Sequence, residues 1–161
     1  MKEFLIIISL VCFLGYTSYS QHNTKFCSDK GYQGYIFDTS YLVLKSILNQ
    51  ERKIELSCND LVMAEQLLKK NLKSLNEKKI NQGKGCPNIN KKLCKYYRQY
   101  FGFKNKNGES IIWINLFWNK SLIKQAQTEI ISVHDGCSYY WNIEVNLSKG
   151  ILSNLNINGK G

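Results

Sequence analysis

From Cys94 to Trp118 the chain reads as two aromatic, apolar runs joined at Asn107-Gly108. Asn-Gly between such runs predicts a β-hairpin, because a type I′ turn needs φ > 0 at both central residues. A two-residue loop sets Lys106 opposite Glu109, an opposite-charge pair, and strand alternation then fixes every later pair. One face carries Tyr97, Gln99, Phe101 and Phe103 against Ile112, Ile114, Leu116 and Trp118, and is expected to be core. The other carries Tyr96, Arg98, Tyr100 and Gly102 against Ile111, Trp113, Asn115 and Phe117, with Trp113 lying across Gly102.

The period changes upstream. Leu61, Ala64, Leu68, Leu72 and Leu75 recur at threes and fours, which predicts an amphipathic helix. Ser57-Cys-Asn-Asp60 before it has capping-box spacing, and lysines 69, 70, 73, 78 and 79 gather late, where cations suit the helix dipole. The leucine stripe is expected to pack on the sheet. Residues 21–34 are polar and predict a loose start; Tyr35 to Phe37 and Lys53 to Leu56 are strand candidates. Residues 41–48 fit either a strand or a short helix capped by Asp38-Thr39-Ser40. Asn76 to Asn90, with Gly83, Gly85 and Pro87, is a loop without the glycine and Ser/Thr spacing of a phosphate-binding loop.

Downstream, Asn119 to Gln127 is a polar connection and Thr128 to His134 a predicted strand, turned at Asp135-Gly136-Cys137 onto a strand containing Trp141, Ile143 and Val145. Ser148-Lys149-Gly150 turns again, pairing Val145 with Ser153, Ile143 with Leu155 and Trp141 with Ile157. The expected fold is α+β: one amphipathic helix on an antiparallel four-stranded meander, extended by an N-terminal hairpin. The polar positions of the meander, His134, Tyr140, Asn142 and Glu144, then share a face with Arg98, Tyr100, Trp113 and Asn115. An aromatic, amide-rich face of this kind suits contact with protein, peptide or glycan, against the plain alternative of a solvated sheet face.

Charge and the first residues add a compartment. The run from Phe4 to Leu14 is shorter than the ~20 residues a spanning helix takes, and Ser18-Tyr19-Ser20 follows it. That pattern predicts a secretory signal peptide over residues 1–20, cut before Gln21, and a single α+β domain over 21–161 in a secreted, periplasmic or cell-envelope protein. No transmembrane helix is expected after cleavage. The net charge of +10 is spread over loops and the helix, which favours an anionic envelope surface over nucleic acid as a partner. Cys27, Cys58, Cys86, Cys94 and Cys137 follow the leader, an odd number, so one thiol stays unpaired or bridges to another chain. Cys86 and Cys94, with Pro87-Asn88 between them, are the expected disulfide. No CxxC and no Cys/His spacing points to zinc, so neither metal nor cofactor is expected.

The leader ending before Gln21, Tyr96-Tyr-Arg-Gln-Tyr100, Val133-His-Asp-Gly-Cys-Ser-Tyr-Tyr-Trp141 and the closing Asn158-Gly159 resemble small secreted proteins of the Bacteroidota, over roughly residues 57–161. That resemblance implies an exported compartment and a helix-plus-meander architecture, and no activity. The order of elements is also similar to cystatin-like and nuclear transport factor 2 (NTF2)-like folds, although the Gln-x-Val-x-Gly loop of cystatin inhibitors is absent.

The leading expectation is an exported binding or interaction module using the aromatic-polar sheet face. The alternatives are a small secreted enzyme with a pocket between helix and sheet, using His134 or Glu144 as base or a Cys137–His134 dyad, or an inhibitor of another enzyme.

Overall fold

The computed structural model describes residues 24–41 and 52–161 of the chain; the predicted leader and nearly all of segment 41–48 lie outside the described residues. The central hairpin pairs β4 (Tyr97–Lys104) with β5 (Ser110–Phe117). Its loop holds three residues, not two. Asn105 and Glu109 face each other, Gly108 alone takes a positive φ (75°), and its N–H donates to the Asn105 carbonyl at 2.9 Å. Asn105 Oδ1 also accepts from the N–H groups of Asn107 and Glu109, so one amide closes the turn.

This extra loop residue shifts the register by one and turns β4 over relative to β5. Phe101 lies opposite Trp113, and Arg98 opposite Leu116. Tyr96, Arg98 and Tyr100 therefore share a face with Ile112, Ile114 and Leu116, while Gln99, Phe101 and Phe103 share the other with Asn115, Trp113 and Ile111. Gly102 is covered by Leu56, not by Trp113: a Cβ there would stand 2.7 Å from a Leu56 methyl.

Helix α1 (Cys58–Leu75) covers the first face. Ser57 Oγ accepts from the Asp60 N–H while the Asp60 carboxylate accepts from the Ser57 N–H, the reciprocal cap expected from sequence. Leu61, Ala64, Leu68 and Leu72 are buried as predicted, and Leu75 is exposed.

Among the described residues the sheet has seven strands rather than four: β1 (Thr24–Asp29), β2 (Tyr32–Phe37), β4, β5, β6 (Tyr140–Asn146) and β7 (Ile151–Ile157) in that order, with β3 (Arg52–Ile54) also on β4. The run predicted to be loose forms a hairpin of β1 (Thr24–Asp29) and β2 (Tyr32–Phe37), because Lys30-Gly31 makes a two-residue turn. β2 joins β4 in parallel, at Gly34 to Ile36, and β3 (Arg52–Ile54) pairs antiparallel with the far half of β4. Beyond β5 the predicted strand 128–134 does not form; β6 (Tyr140–Asn146) pairs directly with β5, and β7 (Ile151–Ile157) closes the sheet. Trp141 meets Ile157 as expected, but a bulge shifts the rest, so Val145 faces Leu152 instead of Ser153. Asn154, at a φ of 51°, sits in that bulge.

Residues 119–139 do not extend the sheet; they lie across its second face in short 3-10 turns. Phe37, Phe101, Phe103, Ile111 and Trp113 form one cluster beneath this cover, and Phe117, Ala126 and Ile131 another. Both faces of the sheet are core.

Two disulfides join distant segments: Cys27 of β1 to Cys58 at the start of α1, and Cys86 to Cys137. The expected Cys86–Cys94 bridge is not made, and Cys94 is an exposed free thiol. Its position at the foot of the short helix α2 (Ile89–Lys92) leaves Cys86 to the turn before β6. Among the described residues no helix is long and apolar enough to cross a membrane.

Candidate binding cleft

Glu65 stands in the leucine stripe of α1, four residues after Leu61 and three before Leu68, so the helix drives a carboxylate into the interface with the sheet. Arg98 on β4 meets it there, with Nε 2.7 Å from Glu65 Oε1 and both side chains almost fully buried. That approach is ionic and lacks hydrogen-bond alignment, as Nε has no hydrogen-bond partner. The guanidinium also donates to the Tyr96 and Leu93 carbonyls, at 2.7 and 3.1 Å. Tyr100 donates its hydroxyl to the same Glu65 oxygen at 2.8 Å. The Tyr32 ring lies 5.9 Å from the guanidinium carbon, within cation–π range.

Burial raises the Glu65 pKa above the usual carboxylate range, and Arg98 offsets only part of that rise. Tyr100 is pushed well above an ordinary phenol by burial, then by the Glu65 charge. Tyr32 is raised by burial, then by the Asp29 charge and the Glu65 charge, against a lowering by Arg98. Perturbed groups grouped at a concave surface mark a candidate site.

The concavity is a cleft of about 710 Å³ between the β1–β2 turn, α1 and α2, with Glu65, Arg98 and Tyr32 along its floor. Val62, Leu72 and Leu93 supply apolar wall. Lys30, Lys69, Lys73 and Lys91 line the rest, all exposed and, among the described residues, none within ion-pair distance of a carboxylate. Five cationic side chains therefore face two carboxylates, Asp29 and Glu65. The free thiol of Cys94 also lines this cleft.

The eight residues expected on one polar face divide between three places. Arg98 and Tyr100 are buried under α1. Trp113, Asn115, Tyr140, Asn142 and Glu144 do lie together on the opposite face, but Trp113 and Asn115 are 4% and 7% exposed beneath the 119–139 cover. Trp113 Nε1 donates to Asn142 at 3.3 Å, and Glu144 accepts from Asn154 at 2.8 Å. A groove of about 290 Å³ is what remains open along Tyr140 and Asn142. His134 is exposed on the covering loop, and Cys137 is locked in a disulfide, which removes the thiol a Cys137–His134 dyad needs. The eight residues do not form one open face: the register puts Arg98 and Tyr100 under α1, the loop covers Trp113 and Asn115, and Tyr140, Asn142 and Glu144 stay half-buried.

Glu65 and the lysine rim escaped the sequence reading. The signal was present: a carboxylate interrupting an apolar stripe requires a buried cation, and Arg98 was the one arginine on an apolar strand. Among the described residues no group of three or more His, Cys, Asp and Glu side chains gathers as a metal site.

Comparison with family models, with curated proteins and with solved structures gives no match.

Proposed function

We propose that the chain is an exported binding module that holds a small anionic ligand in the cleft between α1 and the β1–β2 turn. The observation that carries this reading is the set of four lysines lining the cleft, which make no ion pair among the described residues, over a floor already built around Glu65, Arg98 and Tyr32. Cations at the rim recognise the negative group, and Val62, Leu72 and Leu93 accept an apolar body. Export is supported by the leader pattern of residues 1–20 and by two disulfides, which form and persist in oxidising compartments.

Catalysis receives less support. A carboxyl with a raised pKa is what acid–base chemistry uses, but Glu65 Oε1 is committed to Arg98 and Tyr100. No His stands among the residues lining the cleft.

Cys94 supplies the test, because its alkylation rate reports occupancy of the cleft. Glucose 6-phosphate, glucuronate and decanoate serve as probes, against glucose and decanol. The expected result is saturable protection by at least one anionic probe and none by its neutral partner, lost in Lys69→Glu/Lys73→Glu. Unprotected Cys94 with every anionic probe at millimolar concentration overturns the proposal.

A further inference from the structure

A second concavity lies at the same end of the strands, beyond the start of β4 toward β5 and β6, and shares no residue with the cleft. Tyr97, Trp118, Tyr139 and Tyr140 line an open notch of about 580 Å³, with Lys95, Asn119 and Lys120 at its edge. From this arrangement we infer that the notch is a separate binding site for an acidic saccharide, one bearing carboxylate or sulfate groups.

The aromatic wall is held in place before any ligand arrives. The Trp118 backbone N–H donates to the Tyr139 carbonyl at 3.1 Å, and the Tyr139 hydroxyl to the Gly85 carbonyl at 3.1 Å. The Cys86–Cys137 disulfide ties those two loops together beside it. Trp118 stands edge-on to both Tyr96 and Tyr139, with centroids 5.2 and 5.5 Å apart. A rigid ring set of this kind loses little freedom when a ligand stacks on it.

The polar groups around the rings are free. Among the described residues the hydroxyls of Tyr97 and Tyr140 make no protein hydrogen bond, and Lys95 and Lys120 make no ion pair. Asn119 uses its oxygen to accept from the Ser121 N–H and hydroxyl, which leaves its NH₂ as an unused donor. Half-exposed aromatic faces beside uncommitted hydroxyl, amide and ammonium groups match the two sides of a sugar ring: C–H patches for stacking, and hydroxyls for hydrogen bonds. The lysines add charge complementarity for a carboxylate or sulfate. An inorganic anion alone would leave the rings unused, and an apolar ligand would leave the donors unmet.

Tryptophan emission tests this directly. Trp113 and Trp141 are buried, Trp118 is the half-exposed one, and no tryptophan lines the cleft. Oligogalacturonate and a heparin-derived oligosaccharide are titrated as the carboxylate and sulfate arms, with methyl-esterified oligogalacturonate as the neutral counterpart. The inference expects a saturable emission change with at least one acidic arm and weaker binding of the neutral one. Lys95→Glu/Lys120→Glu, at exposed positions, should weaken it about tenfold or more with an unchanged melting temperature. Lys69→Glu/Lys73→Glu should leave it intact, so failure of the cleft proposal and failure of this one are told apart. No saturable change with either arm overturns the inference. So does a response that survives Lys95→Glu/Lys120→Glu, or one abolished by the cleft variant.

Discussion

Gln99 and Asn115 face each other across β4 and β5, and together they hold the loop that roofs the second face of the sheet. Asn115 Nδ2 donates to Gln99 Oε1 at 3.0 Å and to the Ile131 carbonyl at 2.7 Å. Gln99 accepts from the Ile131 N–H at 2.8 Å and donates to the carbonyls of Ala126 and Glu129. Two buried amides thus do for residues 126–131 what a strand ladder would have done, which is why that segment needs no strand.

Gln99→Met keeps the volume and removes those partners. Leaving a buried backbone group unpaired costs about 1–3 kcal/mol, so the unfolding midpoint should fall by that order. Hydrogen exchange should quicken at the Ile131 amide while the β4–β5 ladder stays protected. Unchanged protection at Ile131 would show that the loop is held by packing alone.

The Arg98–Glu65 pair should behave asymmetrically. Glu65→Leu strands a buried guanidinium and should cost about 3–5 kcal/mol. Adding Arg98→Met should restore much of that loss, since a well-packed apolar pair can replace a buried ion pair at little cost. Denaturant midpoints of the two singles and the double measure the coupling, and additive losses would contradict it.

Acid should unfold the protein partly through Glu109. Its carboxyl is lowered to about 2, chiefly by its hydrogen bond to Lys149 and then by that to Asn105. The folded pKa lies below the unfolded value of about 4.3, so this group stabilises the fold above that value. Its contribution fades as pH falls from about 4.3 toward 2. Glu109→Gln should flatten stability across that window; a curve parallel to the unmodified protein's would count against it. Glu65 has the opposite sign: its raised pKa favours the fold at low pH, and that benefit is lost as pH rises through the folded value.

Alkylation of the folded chain from residue 21 onward should label Cys94 alone, and reduction should expose Cys27, Cys58, Cys86 and Cys137. Replacing Cys86 and Cys137 by Ser should cost about 2–5 kcal/mol of stability. Peptide mapping that finds Cys86 joined to Cys94 would refute this pairing.

Local signals were the legible ones. The Ser57–Asp60 cap and the leucine stripe depend on residues a few positions apart, and both are in the structure. The central hairpin was visible, but its register was not: Asn107-Gly108 serves a two-residue loop or the tail of a three-residue one, and Asn105 decides between them through its side chain. From that single residue followed the misplacement of Arg98 and Tyr100. Glu65 was readable as a misfit on an apolar face, but its partner depended on the register. The Cys27–Cys58 and Cys86–Cys137 pairs join segments 31 and 51 residues apart, and no local pattern encodes such a choice. The lysine cleft is assembled from β1–β2, α1 and α2, which only the tertiary fold brings together.

The bridge from Cys27 to Cys58 closes a covalent ring around β2, β3 and the segment between them. A protease that cuts once inside that ring severs the backbone without releasing either piece. Such a nicked molecule would run at full mass on a gel until reductant is added, and the β1–β2 hairpin would stay tethered beside α1. In a protease-rich surrounding, one cut there would alter the chain's connectivity and leave its parts in one particle.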